Sequence, residues 1–294
     1  MGVNARRRVA VAIGLATSVC IVSSAAASHR PNPFMTGETL VIPHGGGDGL
    51  YPENTNVAWE RSAALIGTAA TMVIDIDVRL AADGVPVAIH DSTVDRTTSA
   101  TGLVSEMTSA QLAKLDAGYR FKAKGRYPFR GKGHGVPTVV SVLKRFPGRL
   151  ATLDLKDQRT ELVAPLCELL TNLGRTDSVY VGIDVDAQVL EFRKRCPSVR
   201  TSGTNDDRSR SRAAREADDA SFVSHQLVGQ PEHTRVTATS LAWSHSHGTA
   251  VLTYVVDDAA TMDTLIDLGV DGIYTRRPDL LLARITANQR KQRN

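Results

Sequence analysis

The segment from Met72 to Thr98, MVIDIDVRLAADGVPVAIHDSTVDRTT, sets Asp75 and Asp77 inside one apolar strand-like run and His90 at the end of another. Strand side chains alternate between faces, so Asp75 and Asp77 point the same way, and their like charges need a cation or a proton to share that face. The link from Leu80 to Gly84 is too short for a parallel crossover, so the two runs are expected to pair antiparallel around Asp83-Gly84. That pairing puts His90 roughly opposite Asp77. Two carboxylates with an imidazole beside them suit metal-assisted hydrolysis or transfer.

Three further groups extend this set. Asp154 and Lys156 repeat the every-second-residue pattern in the run Leu150–Leu155, and His44 ends the apolar run Leu40–Pro43. Asp75, Asp77 and Asp154 supply hard oxygen donors that suit Mg²⁺ or Ca²⁺, whereas Zn²⁺ is disfavoured without ligating Cys or clustered His. Lys156 either holds an anionic oxygen of a substrate or neutralises the carboxylates. His44 and His90 are of the residue type that can exchange protons with a phosphodiester near neutral pH. Gly45, Gly46 and Gly47 follow His44 and either aim backbone N–H groups at phosphate or merely make a tight turn. No Gly-Lys-Ser/Thr follows them, so a nucleotide loop is not expected. His245 and His247 have no evident carboxylate partner, and with His134, His225 and His233 they are expected on the surface.

Short β-rich runs alternate with helical patterns along the chain. Strands are expected at Leu40–Pro43, Met72–Val78, Val85–Ile89, Leu150–Leu155, Ser178–Ile183, Val199–Ser202, Ser221–Val223, Ala250–Val256 and Gly272–Tyr274. Helices are expected at Asn54–Leu65, Ser109–Leu115, Thr138–Phe146, Thr160–Leu173, Ala187–Arg195, Asp258–Leu268 and Pro278–Asn288. This alternation predicts a single (β/α)8 TIM-type barrel with an irregular β-hairpin, over residues 38–288, and a doubly wound open sheet is the alternative. The chemistry-bearing residues sit at strand ends, where a barrel builds its active face. The stretch Gly102 to Gly135 reads as a surface excursion over that face.

The 294 residues, 42% hydrophobic and 22% charged, suffice for one large domain. Arg6, Arg7 and Arg8, the uncharged run Val9 to Val22 and the small residues Ser23 to Ala27 read as a secretory leader over 1–27, cleaved after Ala27. The apolar run is too short for a stable membrane anchor. Val19 stands before Cys20 where a lipoprotein signal has a small residue, so secretion is expected rather than lipidation. Cleavage removes three arginines and no acid, which takes the formal charge from +4 to +1. The remaining basic residues read as scattered or terminal, so nucleic acid is not an expected partner. In an oxidising compartment Cys167 and Cys196 either pair or remain two buried thiols.

The motifs together resemble the glycerophosphodiester phosphodiesterase family, whose barrel is like that of phosphoinositide-specific phospholipase C. The likeness is carried in order by HGGGDGLYPENT (His44 to Thr55), the D-x-D at Asp75 and Asp77, DGVPVAIHD (Asp83 to Asp91), DRTT (Asp95 to Thr98), LDAGYRF (Leu115 to Phe121), GVPTVVSVL (Gly135 to Leu143), LDLK (Leu153 to Lys156), VLTYVVDD (Val251 to Asp258) and LGVDGIYTRRPDLL (Leu268 to Leu281). The resemblance implies metal-dependent hydrolysis of glycerophosphodiesters to glycerol 3-phosphate and an alcohol. His44 and His90 would be the acid and base, and Asp75, Asp77 and Asp154 would ligate Mg²⁺ or Ca²⁺. Lys156, Gly45 and Tyr254 would face the substrate, with Glu53 and Asn54 supporting. The chain departs from the family at Gly45, where an arginine clamps phosphate, at Asp75 and Asp154, where glutamates are usual, and at Arg276, where an aspartate is usual.

Two other activities fit the same residues. A lysophospholipase D or sphingomyelinase D-like enzyme would act on a lipid and would expose apolar residues at the mouth. A degenerate barrel would only bind a phosphorylated ligand. The expected partner in each case is a small phosphodiester or phosphate compound, soluble or lipid-derived.

Overall fold

The computed structural model describes residues 31–293, so the expected leader lies outside the described residues. Nine strands form: β1 (Leu40–Pro43), β2 (Ile74–Leu80), β3 (Pro86–Ala88), β4 (Ala151–Leu155), β5 (Val179–Gly182), β6 (Arg200–Thr201), β7 (Val228–Gly229), β8 (Ala250–Thr253) and β9 (Gly272–Thr275). The helices are α1 (Asn56–Ile66), α2 (Ser109–Leu112), α3 (Val139–Arg145), α4 (Val163–Asn172), α5 (Asp186–Arg195), α6 (Asn205–Glu216), α7 (Ala238–Ser246), α8 (Ala259–Leu268) and α9 (Pro278–Arg293).

Eight of the strands are parallel and run in the order β7-β8-β9-β1 and β2-β4-β5-β6, with the Val41–Met72 bridge joining the two runs. The exception is β3, which pairs antiparallel with the edge of β2 opposite β4, from Val78–Ala88 to Leu80–Pro86. The arrangement is a (β/α)8 barrel with the expected hairpin as its irregular strand. Period-two alternation fills both sides of the wall. Ile74, Ile76, Val78, Leu153, Leu155, Val179 and Val181 pack outward against the helices. Leu40, Ile42, Val73, Tyr180, Leu252 and Tyr274 fill the interior with Phe34, which comes from the segment before β1.

One expected strand is corrected, and two helices form where none was expected. Ser221–Val223 is not a strand; Val223 is exposed, and the seventh barrel strand is Val228–Gly229. Helix α6, NDDRSRSRAARE, buries only Asp207 and Ala214, so it carries no apolar stripe for periodicity to detect. Helix α7 buries only Leu241 and escapes detection for the same reason.

Cys167 on α4 and Cys196 at the end of α5 form a disulfide, with Cα atoms 5.9 Å apart and 29 residues of separation. Closing a loop of that length restricts the unfolded chain, so a Cys167→Ser/Cys196→Ser double variant should lose roughly 3 kcal/mol of stability. Thermal unfolding in the absence of reductant checks this; an unchanged Tm would show that the bridge is energetically idle.

Candidate active site

Alternation places Asp75 and Asp77 of β2, Thr152 and Asp154 of β4, and Tyr180 and Gly182 of β5 on the interior face. With His44 after β1, Gln230 after β7, Tyr254 after β8 and Tyr274 of β9, they line an open cleft at the C-terminal ends of the strands. Asp77 lies directly beside Asp154 in the parallel register, and the Lys156 ammonium reaches both, 2.6 Å from Asp154 and 3.5 Å from Asp77. Lys156 thus contacts two of the carboxylates, as its neutralising role requires.

His44 continues the inward positions of Leu40 and Ile42. Its Nδ1 meets Asp48 Oδ2 at 3.2 Å, one helical turn on. Burial by itself lowers the imidazole's pKa, but the Asp48 hydrogen bond and the charges of Asp75, Asp48 and Asp77 outweigh it and push the value up to about 9. Burial also holds the Asp75 carboxyl well above the ordinary range; the Asp77 charge adds to this, and His44 and hydrogen bonds from Gly45 and Thr152 oppose it. Asp154 is likewise raised by burial, against the pull of Lys156. At the cleft floor Gln230 accepts from Tyr180 Oη at 3.2 Å and donates to Tyr274 Oη at 2.7 Å.

Asn54 holds Asp77 at both ends. Its Nδ2 donates to Oδ2 at 2.7 Å, and its Oδ1 accepts the Asp77 N–H at 3.1 Å. To do so it adopts φ +52°, a left-handed conformation tolerated at an over-determined site. Glu53 does not join the cleft. It takes a two-pronged contact from Arg96, which also binds Asp91, and Asp91 in turn accepts from His90 Nδ1 at 2.8 Å.

Several expectations are revised here. Ile89, not His90, stands across from Asp77, donating its N–H to the Asp77 carbonyl. His90 lies one residue beyond, with a 43% exposed side chain, and does not line the cleft. The glycine run is a turn and not a phosphate nest: the Gly45 N–H donates to Asp75 Oδ2 at 2.9 Å, and the Gly47 and Asp48 N–H groups return to the His44 carbonyl. Gly46 has to be glycine, because at φ +91° a Cβ would sit 2.8 Å from that of Ala58 on α1. His245 has the carboxylate partner the sequence did not reveal: it lies in the last turn of α7 and meets the buried Asp271 at 2.8 Å. Tyr254 lines the cleft as expected, half exposed. Asp48, Thr152, Tyr180, Gln230 and Tyr274 were not singled out. Thr152 was within reach of the alternation rule, being two residues before Asp154.

The donor set fits a hard divalent cation by its chemistry: three carboxylates border one cleft, and one lysine and one imidazolium do not balance them together with Asp48. Among the described residues no three such groups converge as a preformed cluster. Their oxygens are engaged by Gly45, Thr152, Asn54 and Lys156, and an ion would have to exchange those contacts.

The same barrel recurs in proteins this chain is similar to. A glycerophosphodiester phosphodiesterase of Bacillus subtilis (strain 168) is 27% identical over 277 residues, covering 88% of this chain and 91% of that protein. The crystal structure of a glycerophosphodiester phosphodiesterase from Agrobacterium tumefaciens str. C58 superposes with a TM-score of 0.67 at 27% identity, over 84% of this chain and 99% of that one. An Oleispira antarctica phosphodiesterase in complex with sn-glycerol-3-phosphate shares the fold at a TM-score of 0.65 and 22% identity, over 85% of this chain and 97% of that one. The sequence profile of the glycerophosphoryl diester phosphodiesterase family matches residues 44–280, the span that carries His44, the D-x-D pair, Asp154, Lys156 and the final two strands, and the chain therefore belongs to that family.

Proposed function

We infer that the protein is a hydrolase of glycerophosphodiesters, releasing glycerol 3-phosphate and an alcohol. The observation that carries this reading is the cleft itself, where the partly buried His44 imidazole shares the active face of the barrel with three carboxylates and a lysine. The names of the relatives support the substrate class, and the bound product of the Oleispira antarctica protein has the chemistry of the expected product.

His44 holds a proton at neutral pH and is the group in the cleft fitted to give it to the departing alkoxide oxygen. Asp48 fixes its Nδ1, so Nε2 is the nitrogen left for that transfer. His90 at the rim, its Nδ1 tied to Asp91, has Nε2 free to accept a proton from the attacking water. Asp75, Asp77 and Asp154 would hold Mg²⁺ or Ca²⁺, which supplies charge neutralisation for the phosphoryl oxygens. Lys156 limits repulsion between Asp77 and Asp154. With glycine at position 45, no side chain there can clamp phosphate. Arg276, whose Nε lies 3.8 Å from Asp48, is the cation at the mouth available for an anionic oxygen.

Turnover of glycerophosphocholine by the purified protein, stopped by chelator and restored by Ca²⁺ or Mg²⁺, is the expected result. Turnover indifferent to chelator would remove the metal from the mechanism. Turnover of lysophosphatidylcholine alone would reassign the enzyme to the lipid reading, and a folded, metal-loaded protein inert to every diester would leave only ligand binding. Independently of activity, the divalent ion should raise the Tm of the wild type, and Asp77→Asn should require at least roughly tenfold more ion for the same shift. The Cys167–Cys196 bridge and the leader-like residues 1–27 support an exported protein. A mature N-terminus at Ser28 in the extracellular fraction would be the matching result, and an intact N-terminus in the cytosol would oppose it.

A further inference from the structure

The excursion between β3 and α3 carries a charge pattern that the catalytic site does not use. From Ala117 to Leu153 the chain has no Asp or Glu, and within that span Arg120, Lys122, Lys124, Arg126, Arg130 and Lys132 follow one another closely. All six are exposed. None forms an ion pair with a carboxylate among the described residues. This is one basic cluster where the sequence reading expected scattered charge.

Its shape is a knob. Ala123 and Arg126 bridge in antiparallel fashion around Lys124 and Gly125, whose φ values of +47° and +77° make a tight hairpin turn. The Arg130 guanidinium stacks 3.7 Å from the centroid of Tyr127 and 4.2 Å from that of Tyr119, and it donates to the Tyr119 carbonyl. Tyr127 is 42% exposed. Two contacts fasten the excursion to the loop after β1 that carries His44: Arg96 binds Glu53, and Arg61 lies between Tyr51 and Phe129.

We propose that this basic, tyrosine-bearing knob docks the protein on an anionic phospholipid membrane. Juxtaposed Lys and Arg side chains draw a surface toward negatively charged headgroups, and an exposed tyrosine sits well at the interface between headgroups and acyl chains. A protruding turn matches a lamellar surface, whereas a single polyanionic chain is tracked by a groove. Because the knob is pinned to the β1 loop, docking holds the active-face loop beside the bilayer. The binding does not depend on which diester the cleft hydrolyses.

The test is co-sedimentation of the full chain with phosphatidylglycerol–phosphatidylcholine vesicles, compared with pure phosphatidylcholine vesicles. Binding to the anionic vesicles that weakens as salt is raised is expected, with little binding to the neutral ones. The variant Lys122→Ala/Lys124→Ala/Arg126→Ala/Lys132→Ala should bind anionic vesicles roughly 10²- to 10³-fold more weakly. Its Tm and its turnover of soluble glycerophosphocholine should match the wild type. Tyr127→Ala should weaken binding while leaving its salt dependence in place. Equal affinity for neutral vesicles, no vesicle binding at low ionic strength, or full binding by the quadruple variant would each overturn the proposal, as would retention of a soluble polyphosphate without retention of vesicles.

Discussion

His44→Gln is expected to lower kcat for glycerophosphodiester hydrolysis by about 10²- to 10⁴-fold while leaving KM within a few fold, the loss typical of removing a positioned proton donor. Glutamine keeps a polar side chain at the cleft edge but cannot release a proton to the leaving oxygen. In the wild type, burial disfavours the imidazolium, yet the hydrogen bond to Asp48 and the charges of Asp75, Asp48 and Asp77 prevail and hold it protonated up to about pH 9. A pKa raised above 6.5 contributes stability that is complete below pH 6.5 and disappears as pH rises through about 9. As a proton donor, His44 should lose activity as pH rises through its pKa in the ion-loaded enzyme, where an ion on Asp75 and Asp77 offsets part of their pull. Asp48→Asn removes the hydrogen-bonded charge, so the alkaline limb of the pH–rate profile should move toward neutrality. Stopped or steady-state assays between pH 6 and 10 read both effects. A profile unmoved by Asp48→Asn would show that Asp48 does not position His44, and near-wild-type kcat in His44→Gln would end its role as the acid.

Trp59→Ala is expected to be the most destabilising single truncation near the site, by roughly 3 to 5 kcal/mol. The indole is fully buried between α1 and β2, and its Nε1 donates to the Asp75 carbonyl at 2.9 Å. Truncation opens a cavity and leaves that carbonyl without its donor. Trp59→Phe separates the two effects: packing is largely kept, so the residual loss of about 1 to 3 kcal/mol reports the orphaned carbonyl. Because the bond reaches the backbone of Asp75, Trp59→Phe should also weaken the ion-induced rise in Tm. Chemical denaturation with and without divalent ion measures both. A loss below about 1 kcal/mol for Trp59→Ala would mean that the neighbouring side chains close the gap.

Local rules made much of the barrel readable. Strands β1, β2, β4, β5, β8 and β9 are short apolar runs, and Asp75, Asp77 and Asp154 stand out because carboxylates interrupt them. The turn at Asp83-Gly84 made the antiparallel β3 legible as well. Where helices bury little, as in α6 and α7, the pattern that reveals a helix is absent, and capping by Thr204 and Thr237 was the remaining local signal. The run of basic residues from Arg120 to Lys132 was visible as letters, but a surface patch becomes meaningful only when burial and partners are known.

The sequence by itself determined which residues share a strand face and which family's motifs they spell, since alternation and motif order are properties of neighbouring positions. Tertiary structure alone decided how each group is used. It turned the Gly45 N–H from a prospective phosphate donor into a partner of Asp75, set Lys156 between Asp154 and Asp77, gave His44 its Asp48, and left His90 at the rim. Hydrogen-bond choice and pKa depend on distances between side chains and on exclusion of water, and those are fixed only when the eight parallel strands close around one cleft.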